Sequence, residues 1–172
     1  MVIDYSLSEY QSDFLDVFLI SQCAFFISSD TGINDIANLF RKERCVINQI
    51  SVNYLTSYWK YPIIFKKIRR IQDGKLLSLR EIFESGAAGF LRKEQFEQEG
   101  LIWINNSPQE ICDLAIEMDE RINGRWVETP DDELLQKKFW EIFQNFADPS
   151  LHKVYRARIG TEFLRHNQYL LE

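Results

Sequence analysis

Residues 24–49 read AFFISSDTGINDIANLFRKERCVINQ, and this stretch decides the fold class. The apolar run Ala24-Phe25-Phe26-Ile27 stops at Ser28-Ser29-Asp30-Thr31-Gly32. Apolar residues then recur at Ile33, Ile36, Ala37 and Phe40, the spacing of one helical face. A second short apolar run, Cys45-Val46-Ile47, follows the charged stop Arg41-Lys42-Glu43-Arg44. Strand, polar turn, helix and strand form the unit from which parallel sheets are wound. Such a turn opens a helix at the sheet's carboxyl edge, where unpaired backbone N–H groups attract phosphate.

Working outward, Met1-Val2-Ile3-Asp4-Tyr5 reads as a further core strand, and Ser6-Leu7-Ser8-Glu9 as a capping box. The box opens a helix whose inward face is Phe14, Leu15, Phe18 and Leu19. The first fifty residues thus alternate β-α-β-α-β, which makes a right-handed parallel sheet the expected architecture. Residues 51–61 lack periodicity and read as a loop. Pro62-Ile63-Ile64-Phe65 reads as an edge strand because Pro stands first. Ser78-Leu79-Arg80-Glu81 is another capping box, Gly86-Ala87-Ala88-Gly89 a loose connection, and Leu101-Ile102-Trp103-Ile104 a short buried strand. The last third is helical. Ser107-Pro108-Gln109-Glu110 and Thr129-Pro130 each place a cap before a first-turn proline. Asn123-Gly124 stops the first of these helices, and a final helix spans residues 159–165. The expectation is one α/β unit over residues 1–172: a Rossmann-like, three-layer parallel sheet with flanking helices and a helical C-terminal third.

Composition narrows the function. The 13 Phe and 4 Trp among 172 residues argue for a well-filled interior rather than disorder. A net charge of −6 argues against nucleic acid as a partner. Cys23, Cys45 and Cys112 are odd in number and flanked by apolar residues, the pattern of buried, reduced thiols. Two histidines, His152 and His166, offer little for a metal site, so no metal is expected. No apolar run nears the ~18 residues that span a bilayer, and no leader opens the sequence. The expected location is the cytoplasm, with any inner-membrane association coming through partners.

Four stretches carry a resemblance: Asp13-Phe14-Leu15-Asp16, Phe25-Phe26-Ile27-Ser28-Ser29-Asp30-Thr31-Gly32, Gln136-Lys137-Lys138-Phe139-Trp140 and Arg158-Ile159-Gly160-Thr161-Glu162-Phe163-Leu164-Arg165. In their order and spacing the chain resembles the C-terminal half of a bacterial GT-B glycosyltransferase from a family associated with surface-polysaccharide clusters. The Ser-Asp-Thr-Gly turn is also similar to the donor loop of heptosyltransferases. The resemblance implies a nucleotide-sugar donor as substrate, no cofactor, and a glycan or lipid-linked acceptor in envelope polysaccharide synthesis. It also implies a separate N-terminal, acceptor-binding Rossmann domain as partner, since no such domain precedes Met1. The alternative expectation is a non-catalytic remnant or binding module that pairs with a separately encoded N-terminal half.

On this resemblance the Thr31 and Gly32 amides and the Ser28, Ser29 and Thr31 hydroxyls hold the donor diphosphate, with Gly32 allowing close approach. Asp30 caps the helix or meets the acceptor. Equally, Ser29, Asp30 or Thr31 is a plain N-cap. Asn34 and Asp35 reach donor hydroxyls, or Asp35 only favours the helix N-terminus. Asn48 and Gln49 end the next strand at the same edge and can meet base or ribose. Lys66, Lys67, Arg69 and Arg70 either neutralise the diphosphate or form a solvated strand edge. Asp13 and Asp16 share one helix face, suited to acid/base or metal work or else simply solvent-facing, with packing of Asp16 behind the phosphate turn as the alternative. No catalytic base is assigned.

Overall fold

The chain is described by a computed structural model covering residues 3–29, 31–56, 62–150 and 157–172. A four-stranded parallel sheet runs in the order β1 (Phe25–Ser28), β2 (Glu43–Gln49), β3 (Pro62–Phe65), β6 (Arg158–Ile159). A separate antiparallel pair joins β4 (Lys67–Arg70) to β5 (Leu101–Ile104). The helices are α1 (Asp13–Gln22), α2 (Ile33–Leu39), α3 (Leu79–Glu84), α4 (Lys93–Gln98), α5 (Pro108–Ile122), α6 (Pro130–Phe146) and α7 (Thr161–His166). Among the described residues, no helix is long and apolar enough to cross a membrane. The α/β class and its parallel sheet agree with the sequence reading.

The β1–α2–β2 unit lies where the sequence placed it. So do the capped helices. Ser78, Ser107 and Thr129 each accept a hydrogen bond from the backbone of Glu81, Glu110 and Asp132, whose carboxylates return to the cap residue's N–H. Proline opens α5 and α6, and Gly124 follows α5 in the left-handed conformation (φ +66°).

Five expectations fail. Of the expected first strand, Met1 and Val2 lie outside the described residues, Ile3 and Asp4 are not in a strand, and Tyr5–Leu7 is a 3-10 turn. The Tyr5 hydroxyl closes that turn on Ser12, accepting from its N–H (2.9 Å) and donating to its carbonyl (3.1 Å). Ser12, not the Ser6–Glu9 box, caps α1. The expected inward face of α1 is largely outward: Phe14 is 73% exposed and Phe18 45%. Pro62–Phe65 is an interior strand, paired with β2 on one side and β6 on the other, and fully buried. Ile159 belongs to β6, so the final helix starts at Thr161.

Sheet alternation assigns the two faces. Cys45 looks toward α5, where burial, with the Glu117 charge, pushes its thiol up to about 12 and leaves it inert. Arg44 looks the other way and donates to the Asn34 carbonyl of α2 (2.9 Å). Cys23 is half-buried and Cys112 exposed, so the expectation of buried thiols holds in full only for Cys45.

The closing residues fasten the core. Gly160 lies so close to Ile64 and Leu114 that a Cβ there meets them at 2.7 and 2.9 Å. Buried Glu117 on α5 accepts from the Thr161 N–H (2.7 Å) and from Arg121 (2.7 Å). Gln136 acts as a substitute strand at the open side of β6: its amide donates to the Ile159 carbonyl (2.6 Å) and accepts from its N–H (3.2 Å). Burial tends to raise the Asp132 pKa, but Arg165 (2.8 Å) and Thr129 hold its carboxyl below the usual range. Glu162 pairs with Arg165 beside it. Gly160→Ala is expected to destabilise the fold by about 1–3 kcal/mol through overpacking, read as a lower urea midpoint at unchanged slope.

Candidate functional site

A cleft of about 400 Å³ opens at the carboxyl end of β1 and continues over the α2 side of β2 and β3. Thr31, Gly32, Asn34, Asp35 and Asn38 form one wall, Arg44, Val46, Gln49 and Ile63 the floor, and Tyr54 the far wall. Five expected residues therefore meet there: Thr31, Gly32, Asn34, Asp35 and Gln49. Ser28 and Ser29 are not in the lining. Asp30 lies outside the described residues.

The turn is tied down from within. The Ser28 hydroxyl donates to the Asn34 side-chain carbonyl, and the Asn34 amide donates to the Ser29 carbonyl (2.9 Å). Arg44, only 4% exposed, grips the Asn34 carbonyl from below. Asn34 is thereby a brace for the turn, and its side chain is already occupied by the end of β1. The backbone N–H groups of Asn34 and Asp35 also have partners, the carbonyls of Thr31 and Gly32 (3.0 and 3.1 Å). The turn is accordingly tighter, with fewer idle amides, than the sequence reading supposed.

Gly32 is the opening in this wall. Its backbone is ordinary right-handed helix (φ −56°, ψ −22°), and a Cβ added there meets nothing within 4 Å. Neither conformation nor internal packing requires glycine here. The missing side chain instead leaves the backbone bare toward the cleft.

Asn48 does not line the cleft. It adopts a left-handed conformation (φ +53°), which Asn tolerates better than most residues. There the β2–β3 register slips: Val46 stands opposite Ile63, but Gln49 opposite Phe65. Asn48 is the extra residue of a bulge. Its N–H donates to the Asn106 side chain (2.6 Å), and its side chain accepts from the Asn106 N–H (2.7 Å). Asn106 also donates to the Phe65 carbonyl (2.9 Å). The bulge shifts the alternation by one, so Gln49, not Asn48, joins Arg44 and Val46 on the cleft floor.

The basic stretch after β3 lies elsewhere. Lys67 pairs with Glu110 (2.8 Å), and Arg70 with Asp73 (3.0 Å) and Glu81 (3.5 Å). Lys66 sits over the Trp103 ring at 4.4 Å, where burial lowers its pKa. Burial tends to raise the Glu110 pKa, but Lys67 and the Ser107 N–H hold it below the usual carboxylate range. Lys66, Lys67, Arg69 and Arg70 are thus absent from the cleft lining, whose cation is Arg44. The sequence reading missed Arg44, Asn38 and Tyr54. For Arg44 a signal existed: period-2 alternation from Val46 places it on the same strand face.

Chemically the lining offers amides, one hydroxyl-bearing turn, a buried guanidinium and the exposed carboxylate of Asp35, which accepts from Asn38 (3.4 Å). Among the described residues, no group of three or more His, Cys, Asp or Glu side chains is placed to hold a metal. No family model matches the chain, and no curated protein or solved structure matches it. Because the Asn48–Asn106 bonds hold the bulge, Asn48→Ala should cost about 1–3 kcal/mol, the range for orphaning a buried partner. Denaturant melts of this variant and of the wild type check that figure.

Proposed function

We propose that this chain binds the nucleoside diphosphate part of a nucleotide-sugar in the Thr31–Tyr54 cleft, as the donor-binding half of a GT-B-type glycosyltransferase. The observation that carries the reading is the cleft's position: it opens at the carboxyl edge of a parallel sheet, where ligands of such sheets sit. Its entrance is the side-chain-free Gly32 and its floor holds the buried Arg44. The cavity volume suits a ligand of nucleotide size. The diphosphate would lie against Gly32 and Thr31, with the field of Arg44 beneath. Negative charge developing on a departing nucleoside diphosphate would be stabilised there by backbone amides and the guanidinium. Sugar transfer itself, to a glycan or lipid-linked acceptor in envelope polysaccharide synthesis, needs an acceptor wall that the resemblance places on a separate N-terminal domain.

A second reading, a non-catalytic module that pairs with that other half, draws on a different observation. Ile3, Leu7, Tyr10, Phe14 and Phe18 are each at least 45% exposed. They lie on the segment leading to β1, a strand paired on one edge only among the described residues. The two readings share ligand binding and differ in turnover: hydrolysis of the donor by the isolated chain would overturn the second.

Thermal-shift titration with UDP-, GDP-, ADP- and CDP-sugars tests the binding claim. At ten times Kd the stabilisation is about 1.4 kcal/mol, a rise of roughly 3–5 °C for a domain of this size. Gly32→Val should abolish the rise while leaving the fold intact, because its Cβ meets only open space. The absence of a shift with every donor at millimolar concentration sinks the claim.

A further inference from the structure

Tyr54 is the aromatic residue in the cleft lining. It lies in the 3-10 turn Val52–Thr56, between Val52 and Leu55, both 0% exposed. Ser51, also fully buried, donates from its hydroxyl to the Ala88 carbonyl (2.6 Å). The Tyr54 N–H donates to the Ser51 carbonyl (3.3 Å). The turn is therefore nailed to the core on both sides of a tyrosine that is itself 57% exposed and lines the cleft. Three aromatics elsewhere lie under cations, Trp103 beneath Lys66, Phe146 beneath Arg80 and Trp126 beneath Arg121. Among the described residues, the Tyr54 ring meets no other ring or cation, and its hydroxyl has no hydrogen-bond partner.

A large ring held by an anchored turn, free of rings and cations among the described residues and lining the same cleft as Gly32, is arranged for stacking. Resting on the nucleotide-binding reading above, we propose that Tyr54 is the platform on which the nucleobase of the donor stacks. Gly32 and Tyr54 are then the two ends of one ligand: diphosphate at the first, base at the second, ribose spanning the floor between. Stacking uses the π-face that every base possesses. Tyr54 therefore confers affinity for nucleosides as a class and discriminates weakly among bases.

The test is calorimetric titration of UDP, ADP and inorganic pyrophosphate into wild-type protein, Tyr54→Ala and Tyr54→Phe. Tyr54→Ala should weaken both nucleoside diphosphates by roughly 5- to 150-fold, the range measured for base–aromatic stacking. Pyrophosphate, which has no base, should bind it as it binds wild type, and Tyr54→Phe should retain wild-type affinity for all three. Matching circular dichroism and melting temperature exclude misfolding. Unchanged UDP and ADP affinity in Tyr54→Ala overturns the stacking role while leaving the cleft reading standing. An equal loss for pyrophosphate overturns it as well. Failure of wild-type protein to bind any of the three removes the cleft reading and this inference together.

Discussion

The left-handed bulge at Asn48 is the constraint on which the cleft depends. A regular β2 would point Arg44, Val46 and Asn48 to one face and Cys45, Ile47 and Gln49 to the other. The extra residue at Asn48 reverses that order at the last step and brings Gln49 to the cleft floor. What keeps the bulge is the reciprocal pair of hydrogen bonds with Asn106, which also reaches the Phe65 carbonyl. One buried asparagine thus joins the carboxyl ends of β2 and β3 to the loop that opens α5. The parallel sheet, the antiparallel pair and the helix covering one sheet face are set relative to one another at this point.

The opposite side of the molecule is fixed by a different device. Glu117 and Asp132 are each 1% exposed, and each is engaged by an arginine and by a backbone or hydroxyl donor. Such carboxylates are tolerable in an interior only because their lone pairs are filled. They hold the Arg158–Arg165 stretch, whose Gly160 lets α5 and β3 close in. The Gln136 amide completes the backbone bonding of β6. Two of the four stretches on which the glycosyltransferase resemblance rests are therefore scaffold. They meet each other in the core and lie apart from the cleft.

Much of this was legible in the sequence because it is local. Capping boxes and first-turn prolines specify α5 and α6 through bonds made within four residues, and the β1–turn–α2–β2 alternation needs no distant partner. The failures share the opposite cause. Ile3–Tyr5 has the composition of a strand but pairs with no strand among the described residues. Pro62 reads as an edge marker, yet a proline at a strand's first position forfeits little, and β6 arrives on its far side from almost a hundred residues downstream. Asn48 and Gln49 cannot be told apart without knowing that Asn106 waits opposite. Arg44 was hidden inside a run of charges that reads as a solvated stop, although alternation with Val46 betrays its face.

In the proposed function the ligand meets one wall, one floor and one turn, and the Asn106 clasp is scaffold. Amide chemical-shift mapping on addition of UDP tests that division most directly. The predicted result is a set of shifted resonances at Thr31, Gly32, Asn38 and Tyr54, with Asn106 and the Gly160–Thr161 backbone unmoved. Shifts clustered in the groove of Glu133, Gln136 and Trp140 beside α6, with Gly32 and Tyr54 silent, would contradict it.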